Sequence, residues 1–502
     1  MQKTLMILEV SRKQDYIFAK KKLRENAARS GIISYVTGHD FFEKTAPEFY
    51  EQKKNLVYSG GGHTVLQFDS HDRARDFASR VTAAAMKQYR GLELFVKLMD
   101  YDNSLSPADN LIELSARLER KKSLRAHAFK RVSSGVETLD EMTHLPKTDG
   151  NDNLRNSDLL PAPEGWEYPA EFEELAGEDN FIAVVHADGN AMGNRVNAIY
   201  ETASQNWEKV CSRLRRFSEG IQHDFETAFS QMTEEVLRHK ELQPPCLPVR
   251  PIILAGDDVC FVTAGKLGLE CARIFLEKLS NLKNEEDGQP YSACAGVALV
   301  HTKFPFHRAY DLAEELCSSA KKFGSGLDER RTISALDWHI EFGQLKDSLS
   351  QQREDYVTED GKQLELRPVT VVVPEDVEKT EEMSYRSYDF FRVMCSAMQG
   401  EYGKTARGKI KELRTAMKQG RVETEYFLAD KEVSDLLYHG FDARYNKKNE
   451  RWAQYRKMIA GDAGMEKRAF VGLDKDRCLF FDAIEMIDHC EFLKEAEECV
   501  TV

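Results

Sequence analysis

The stretch PIILAGDDVCFV, residues 251–262, decides the fold, because two apolar runs flank a turn that carries adjacent carboxylates. The runs 251–254 and 259–262 predict the strands of a β-hairpin around Ala255-Gly256-Asp257-Asp258, since Gly and Asp suit turns. About 70 residues upstream, FIAVVHADGNAMG (181–193) is an apolar strand followed by a loop at Asp188. Adjacent residues of a strand point to opposite faces. We therefore expect one hairpin aspartate to share a face with Asp188, and the other to reach it only from the turn.

The segments around this hairpin predict an α+β unit. Residues 181–186 form a strand, a long helix covers about 205–240, and the hairpin follows. Next come a helix at 266–282, a strand at 292–300, a helix at about 307–322 and a further strand near 332–336. The order strand, helix, hairpin, helix, strand is that of a ferredoxin-like or palm-like sheet backed by helices. In such a sheet the first strand and the hairpin lie side by side in the middle.

The same order of elements occurs earlier in the chain. A strand at 4–10 and a helix at 14–29 precede two short strands, 56–58 and 64–68, which flank Ser59-Gly60-Gly61-Gly62-His63. A helix at 71–89, a strand at 92–99 and a charged helix at 106–130 complete this unit. The sequence therefore predicts two copies of one topology.

The predicted organisation has four parts. Residues 1–130 form a degenerate first palm domain, 131–178 a long exposed linker or insertion, 179–340 a catalytic second palm domain, and 341–502 a mainly helical C-terminal domain with one isolated strand at 367–373. The expected fold class is α+β, with two ferredoxin-like palm domains and a helical C-terminal domain.

Composition excludes several classes of protein. The chain has 502 residues and a formal net charge of −14, so indiscriminate binding to nucleic acid is not expected. No apolar stretch is long enough for a membrane helix, and the N-terminal residues do not read as a signal peptide. Ten cysteines without a Cys-x-x-Cys pair indicate reduced thiols rather than a zinc ribbon or a disulfide framework. We expect a cytoplasmic protein.

Clustered carboxylates indicate a metal site. Asp188, Asp257 and Asp258 would repel one another unless a cation neutralised them, and hard oxygen ligands favour Mg²⁺ or Mn²⁺. Two such ions can activate an attacking hydroxyl and hold a leaving phosphate, which is the chemistry of nucleotidyl transfer. Each motif alone is more often an ordinary turn, because Asp and Gly suit turns. The joint pattern favours the metal–nucleotide site.

Phosphate binding requires backbone donors and positive charge. Gly189, Asn190 and Gly193 lie in a loop that leads towards a helix and can present N–H groups to a triphosphate. Lys321, with Lys322 beside it, lies on the last helix of the second unit, from which a lysine can reach the β- and γ-phosphates. A solvated helix face is the alternative interpretation of the two lysines.

Residues 181–340 resemble the palm of the large polymerase-like subunit of type III CRISPR effector complexes, and more distantly GGDEF diguanylate cyclases. The hairpin 255–258 stands where that family has Gly-Gly-Asp-Asp, residues 186–193 match its metal-binding strand and loop, and 295–298, 304–306 and 320–324 match the following strand, proline turn and lysine helix. Residues 14–18, 22–24 and 58–63 resemble its degenerate first palm, here with Gly62-His63 in place of carboxylates.

The resemblance implies an enzyme that converts ATP to a cyclic oligoadenylate or cyclic dinucleotide, a second messenger for effector proteins in prokaryotic antiviral defence. It assigns metal binding to Asp188, Asp257 and Asp258, and phosphate binding to Lys321. The first palm would complete an acceptor-nucleotide pocket, with help from 20–22 and Arg24 if they are not merely a solvated basic face. His63 is either an adenine or phosphate contact or a turn residue.

Some features depart from the family and leave alternatives open. We expect no nuclease domain before the first strand, and no zinc module. The chain is then either a stand-alone synthase or a nuclease-less subunit of a type III ribonucleoprotein, with guide RNA and partner subunits, that binds nucleotide or RNA as a scaffold. A diguanylate cyclase is a weaker reading, because the hairpin has Asp-Asp and the two palms are fused. A template-dependent polymerase is weaker still, because no basic duplex-binding domain is visible.

Overall fold

The computed structural model contains two α+β units followed by a largely helical region, so the predicted fold class is confirmed. Within the described part of the chain, no helix has the length and apolar character needed to span a membrane. The structure describes residues 3–19, 22–89, 91–124, 158–203, 206–238, 244–343, 348–399, 407–430, 469–471 and 477–493.

The first unit is a sheet with helices on both faces. Its strands are β1 (Thr4–Ser11), β2 (Leu56–Gly60), β3 (His63–Phe68) and β4 (Glu93–Asp100), in the antiparallel order β2-β3-β1-β4. Its helices are α1 (Lys13–Ile17), α2 (Leu23–Val36), α3 (His39–Thr45), α4 (Gln52–Asn55), α5 (His71–Gln88) and α6 (Pro107–Lys122). Ser70 and Ser106 cap α5 and α6, because each side chain accepts a hydrogen bond from a first-turn backbone N–H.

The second unit repeats this topology and extends it by two strands. Its strands are β5 (Phe181–Gly189), β6 (Val249–Ala255), β7 (Asp258–Ala264), β8 (Ala293–His301), β9 (Ser334–Glu341) and β10 (Val369–Val372). Its helices are α7 (Glu173–Ala176), α8 (Met192–Thr202), α9 (Trp207–Leu237), α10 (Gly268–Ser280) and α11 (Phe306–Leu327). The sheet order is β10-β9-β8-β5-β7-β6, and its last four members match the order of the first sheet.

The region after the second unit consists mostly of short helices. They are α12 (Leu349–Arg353), α13 (Glu381–Tyr385), α14 (Tyr388–Gln399), α15 (Arg407–Gln419), α16 (Arg421–Asp430) and α17 (Phe481–Met486), with the small strands β11 (Phe470–Val471) and β12 (Arg477–Cys478). Short 3-10 turns occur at Gly177–Asp179, Gly265–Leu267 and Glu354–Tyr356. Helix α16 reaches Asp430, the last described residue before 469, whereas α17 ends at Met486 and residues 487–493 are not helical.

Several sequence-based expectations change. The strand predicted as isolated at 367–373 is β10, which pairs with β9 as the edge of the second sheet, so the division at 340 remains only a proposal. The helix predicted at 14–29 divides into α1 and α2, and the segment predicted as a loop after Asp188 includes α8. Residues 131–157 lie outside the described part. The rest of the predicted exposed linker contains Phe172, Leu175 and Ala176, which are buried because they pack into the core.

The two units pack reciprocally. Helix α2 of the first unit lies against β6 of the second, and α9 of the second lies against β2 of the first. Apolar side chains from both sheets therefore share the same buried clusters. The two hairpin turns also meet, since a Cβ built on Gly256 would lie 4.0 Å from the backbone nitrogen of Gly61. Each hairpin tip consequently faces the other unit.

A buried ionic cluster connects the second sheet to the helical region. Arg353 binds Asp337 of β9, while the fully buried Arg367 binds Glu485 of α17 at 2.6 Å. Glu365 lies between the two arginines, 3.5 Å from Arg353, and burial raises its pKa to about 7. Ionised Glu365 therefore destabilises the folded chain.

Replacing Glu365 with Gln should stabilise the protein above neutral pH. Because the folded pKa is raised, stability falls as the pH rises from about 4.5 to about 7 and stays lower above it, an effect of at most about 3 kcal/mol. We expect the melting temperature of the variant to exceed that of the wild type at pH 8 and to match it at pH 4.5. Burial acts to raise the pKa of Glu485, but the charge of Arg367 outweighs it and the pKa is lowered. Glu485→Gln should therefore lower stability at pH 8. Equal pH profiles for the wild type and Glu365→Gln would contradict the prediction.

Candidate active site

Three carboxylates lie at the tips of the central strands β5 and β7. Asp188 and Asp258 stand directly opposite each other in the antiparallel register, and such partners project to the same face of a sheet. Asp257 occupies the two-residue turn with Gly256, whose φ of 71° favours glycine. Asp258 is thus the residue that shares a face with Asp188, and Asp257 belongs to the turn. We call Asp188, Asp257 and Asp258 the acidic triad.

The hairpin tip is held by α9 and by the end of β5. The backbone N–H of Gly256 donates to Oε1 of Gln222 at 2.7 Å, and Nε2 of Gln222 donates to the carbonyl of Leu254 at 3.1 Å. The N–H of Gly189 donates to the carbonyl of Asp257 at 3.1 Å. A Cβ on Gly189 would lie 2.9 Å from that of Asp257, so only glycine allows this approach. The sequence gives no local signal for Gln222, because its partner is distant in the chain.

The acidic triad is electrostatically strained. Burial and, after it, the charge of Asp188 together raise the pKa of Asp257 to about 6. Burial and the charge of Asp188 likewise raise the pKa of Asp258, to about 7. Oδ1 of Asp258 is buried without a hydrogen-bond partner, although the side chain as a whole is 46% exposed. A nearby cation would relieve both effects.

Lys321 supplies a positive charge beside the triad. Its Nζ lies 2.5 Å from Oδ2 of Asp188 and also donates to the carbonyl of Gly189 at 3.0 Å. Its helix α11 crosses β8 very closely at Gly296, where a Cβ would lie 2.1 Å from the carbonyl oxygen of Ala313. Lys322, one residue further along, is exposed. Lys321 is therefore the member of the pair that faces the site.

The loop after Asp188 is built differently from the sequence-based expectation. The side-chain amide of Asn190 donates to the carbonyl of Ile333 at 3.0 Å, and its backbone N–H donates to Ser292 at 2.8 Å. Asn190 therefore fixes the loop rather than presenting a free donor. Ala191 adopts the left-handed conformation and starts α8. Gly193, in the first turn of α8, is exposed and has open space around it.

The donor set matches a hard divalent cation in its chemistry. All three side chains offer carboxylate oxygen, and the raised pKa values of Asp257 and Asp258 indicate that their ionised forms lack compensating positive charge. Among the described residues, however, no three acidic, histidine or cysteine side chains are gathered closely enough to hold an ion as they stand. The ammonium group of Lys321 occupies one side of Asp188 instead. An ion that binds Oδ2 of Asp188 would therefore compete with the ammonium group of Lys321.

The first unit contains a counterpart of this arrangement that the sequence did not reveal. Glu9 of β1 stands opposite His63 of β3, as Asp188 stands opposite Asp258. Lys122 of α6 lies 2.8 Å from Glu9, as Lys321 of α11 lies beside Asp188. Burial lowers the pKa of His63, which favours its neutral form. An acid and a lysine are thus retained in both units, whereas the hairpin carboxylates occur only in the second.

A cavity of about 430 Å³ lies between the two units. The first unit lines it with Glu9, Arg12, Lys13 and Lys122, among others, and the second with Asp258. Burial lowers the pKa of Lys13, while the charges of Glu9 and Asp258 act in the opposite direction. One member of the acidic triad therefore faces basic side chains of the other unit.

The basic segment predicted at 20–24 does not line this cavity where it is described. Lys22 pairs with Glu171 at 2.9 Å, and Arg24 is absent from the cavity wall. Residues 20 and 21 lie outside the described part. Of the two interpretations given for Lys22 and Arg24, the pocket contact is not found, because Lys22 pairs with Glu171 in the segment before β5. Lys13 and Lys122 face the cavity instead.

The chain thus has two facing units of palm-like topology, and one of them carries an acidic hairpin. Residues 181–329 match the family model described as Cas10/Cmr2, second palm domain. The predicted resemblance to the large subunit of type III CRISPR effector complexes is confirmed, and the second unit is a Cas10-like palm. No curated protein matches the sequence.

Solved structures share the fold at low sequence identity. The apo Csm1-Csm4 cassette matches at a TM-score of 0.55 and 13% identity, over 97% of this chain and 70% of that chain. Csm1 in T. onnurineus matches at a TM-score of 0.54 and 16% identity, over 97% and 69%. The Csm1-Csm4 cassette in complex with cA4 matches at a TM-score of 0.51 and 13% identity, over 97% and 70%. The likeness of fold therefore extends over nearly the whole chain.

Proposed function

We propose that this chain is a metal-dependent nucleotidyltransferase that converts ATP to a cyclic oligoadenylate or a cyclic dinucleotide. The observation that carries the proposal is the register of Asp188 opposite Asp258, with Asp257 in the adjoining turn. Similar cassettes were solved in complex with AMPPNP and with pppApA, which supports ATP as the substrate. The product would act as a second messenger on a downstream effector in antiviral defence, and we place the protein in the cytoplasm.

In the proposed reaction a ribose hydroxyl of one nucleotide attacks the α-phosphate of another. A phosphodiester bond forms, the bond to the β-phosphate breaks, and pyrophosphate leaves with its electron pair. Mg²⁺ or Mn²⁺, held by Asp188, Asp257 and Asp258, would supply charge to activate the hydroxyl and stabilise the leaving group. Lys321 would turn from Asp188 to the β- and γ-phosphates, where its ammonium group acts as a point charge.

Backbone groups near Gly193 would complete the triphosphate site. They lie in the first turn of α8, where free N–H groups and the helix dipole favour anions. Gly189 and Asn190 would act by shaping the loop, because their polar groups already have partners in the chain. The acceptor nucleotide would lie in the cavity between the units, near Lys13 and Lys122.

The proposal is tested by incubating the purified chain with Mg²⁺ or Mn²⁺ and each nucleoside triphosphate, and identifying products by mass spectrometry. We expect a cyclic adenylate and pyrophosphate from ATP. ATP binding without any product, in the presence of either ion, would contradict a self-sufficient synthase.

The second candidate is a subunit of a type III CRISPR ribonucleoprotein that binds nucleotide or RNA as a scaffold. The observation in its favour is the fold match to Csm1-Csm4 assemblies, including the subcomplex from the type III-A CRISPR-Csm interference complex. Co-purification of the chain with products of neighbouring genes and with a guide RNA would support this role. If product forms only after those partners are added, the chain is a synthase that works as a subunit of the ribonucleoprotein.

A further inference from the structure

His186 lies on the same face of the second sheet as Asp188 and Asp258. It precedes Asp188 by two residues on β5, and residues two apart on a strand project to the same side. Its ring packs edge-to-face on Tyr310 of α11, with the ring centroids 5.4 Å apart. Only 7% of the side chain is exposed. The ring is therefore fixed by packing beneath the hairpin tip.

Two buried polar atoms face each other at this place. Nδ1 of His186 and Oδ1 of Asp258 are 3.6 Å apart, and neither atom has a hydrogen-bond partner. The separation is too long for a hydrogen bond, and a buried unpaired polar atom costs roughly 1–3 kcal/mol. A shift of roughly half an ångström would bring the two atoms within hydrogen-bond distance. The geometry thus pairs one unsatisfied donor position with one unsatisfied acceptor.

We propose that His186 is a positioning residue that orients the Asp258 carboxylate for ion binding, an inference that rests on the proposed function. In this role the two atoms move within hydrogen-bond distance, and Nδ1, which carries the ring proton, donates a hydrogen bond to Oδ1 of Asp258. Such a hydrogen bond sets the tautomer of the ring. Oδ1 is thereby anchored on the buried side, and the exposed part of the carboxylate is directed at the cavity that Asp258 lines.

The first unit supports this assignment. The position that corresponds to His186, two residues before Glu9 on β1, is Ile7, which is buried in the apolar core. That unit has His63 in place of the hairpin carboxylate, so it has no hairpin carboxylate to orient. The polar side chain on the central strand therefore occurs in the unit with the carboxylate pair. The unit without that pair has an apolar side chain there.

The test is a titration of the full-length chain with Mn²⁺ alone, followed by electron paramagnetic resonance, for the wild type, His186→Leu and His186→Asn. The leucine variant removes the donor and keeps an apolar side chain against Tyr310. The asparagine amide can replace Nδ1 as a donor. We expect His186→Leu to weaken Mn²⁺ binding by about 10–100-fold, the usual effect of losing a hydrogen bond to a metal ligand. We expect His186→Asn to stay within a few-fold of the wild type.

Thermal melting without ions separates positioning from folding. Both variants should melt within a few degrees of the wild type if His186 acts only on Asp258. Mn²⁺ binding by His186→Leu that equals the wild type would overturn the positioning role while leaving the metal site intact. Weakened binding by both variants together with lower melting temperatures would overturn it in favour of a structural role. Absence of Mn²⁺ binding by the folded wild type would instead overturn the metal site, and with it this role.

Discussion

Replacement of Asp257 and Asp258 together by alanine is expected to abolish formation of product from ATP while leaving the protein folded. The triad would supply the charge that holds the ion, and losing one group that stabilises a transition state typically costs about 10²–10³-fold in rate. The loss of two ion ligands should therefore bring turnover below detection. The measurement is product formation by mass spectrometry, with the melting temperature as the check on folding.

The raised pKa values also predict the direction in which the melting temperature of the double variant should change. The raised pKa values of Asp257 and Asp258 mean that their ionised forms destabilise the ion-free chain, fully so above about pH 7 and not at all below about pH 4. The double variant should therefore melt at the same or a higher temperature than the wild type at pH 8. Asp72 and Asp76 of α5 provide a matched control, because both are exposed and removing them changes the net charge equally. Unchanged turnover in the triad variant, or an equal loss in the control, would remove the metal-site assignment.

Replacement of Lys321 by methionine is expected to have two opposite effects on ligand binding. The ATP concentration that gives half the maximal rate should rise by about 10–100-fold, because a hydrogen bond to a charged group contributes about 1.5–3 kcal/mol. Binding of Mn²⁺ without nucleotide should become tighter, since Asp188 would lose the ammonium group that lies 2.5 Å away. Methionine keeps most of the aliphatic volume, so packing of α11 should be preserved.

Lys322 provides the matched control for this variant. It follows Lys321 on the same helix and is exposed, so Lys322→Met should leave both ATP saturation and Mn²⁺ binding unchanged. The measurements are initial rates against ATP concentration, and Mn²⁺ titration in the absence of nucleotide. Weaker Mn²⁺ binding in Lys321→Met would contradict the competition between lysine and ion for Asp188. An ATP dependence equal to that of the wild type would contradict its role as a phosphate ligand.

Weaker ATP binding together with tighter Mn²⁺ binding in Lys321→Met would also indicate how the site couples binding of the nucleotide to binding of the ion. Nζ of Lys321 contacts Oδ2 of Asp188, so an ion that binds this oxygen would compete with the ammonium group unless that group had another anionic partner. A bound triphosphate would be that partner. The same pairing of lysine and acid occurs at Lys122 and Glu9 in the first unit. Because that unit has His63 where Asp258 stands, we expect its lysine to stay paired when Mn²⁺ is added.

The sequence by itself determined the features that depend on neighbouring residues. Apolar runs around Asp257-Asp258 and around Gly60-Gly61-Gly62 predicted both hairpins, because alternation and turn residues are local signals. The repeated order of elements predicted two units of one topology, which the sheet orders confirm. The acidic turn and its upstream partner Asp188 were also visible in the sequence, because carboxylates at strand ends have few structural reasons to cluster.

Only the tertiary structure decided which groups meet. The register that sets Glu9 opposite His63 depends on pairing across about 50 residues of intervening chain, and a slip of one residue would reverse every side chain. The same holds for Nδ1 of His186 facing Asp258, and for β10 joining the second sheet. Asn190 was predicted to present its backbone N–H to a triphosphate because its loop sequence is suitable, yet this N–H donates to the carbonyl of the distant Ser292. Local sequence specifies the elements, whereas packing between distant segments specifies the contacts that make the site.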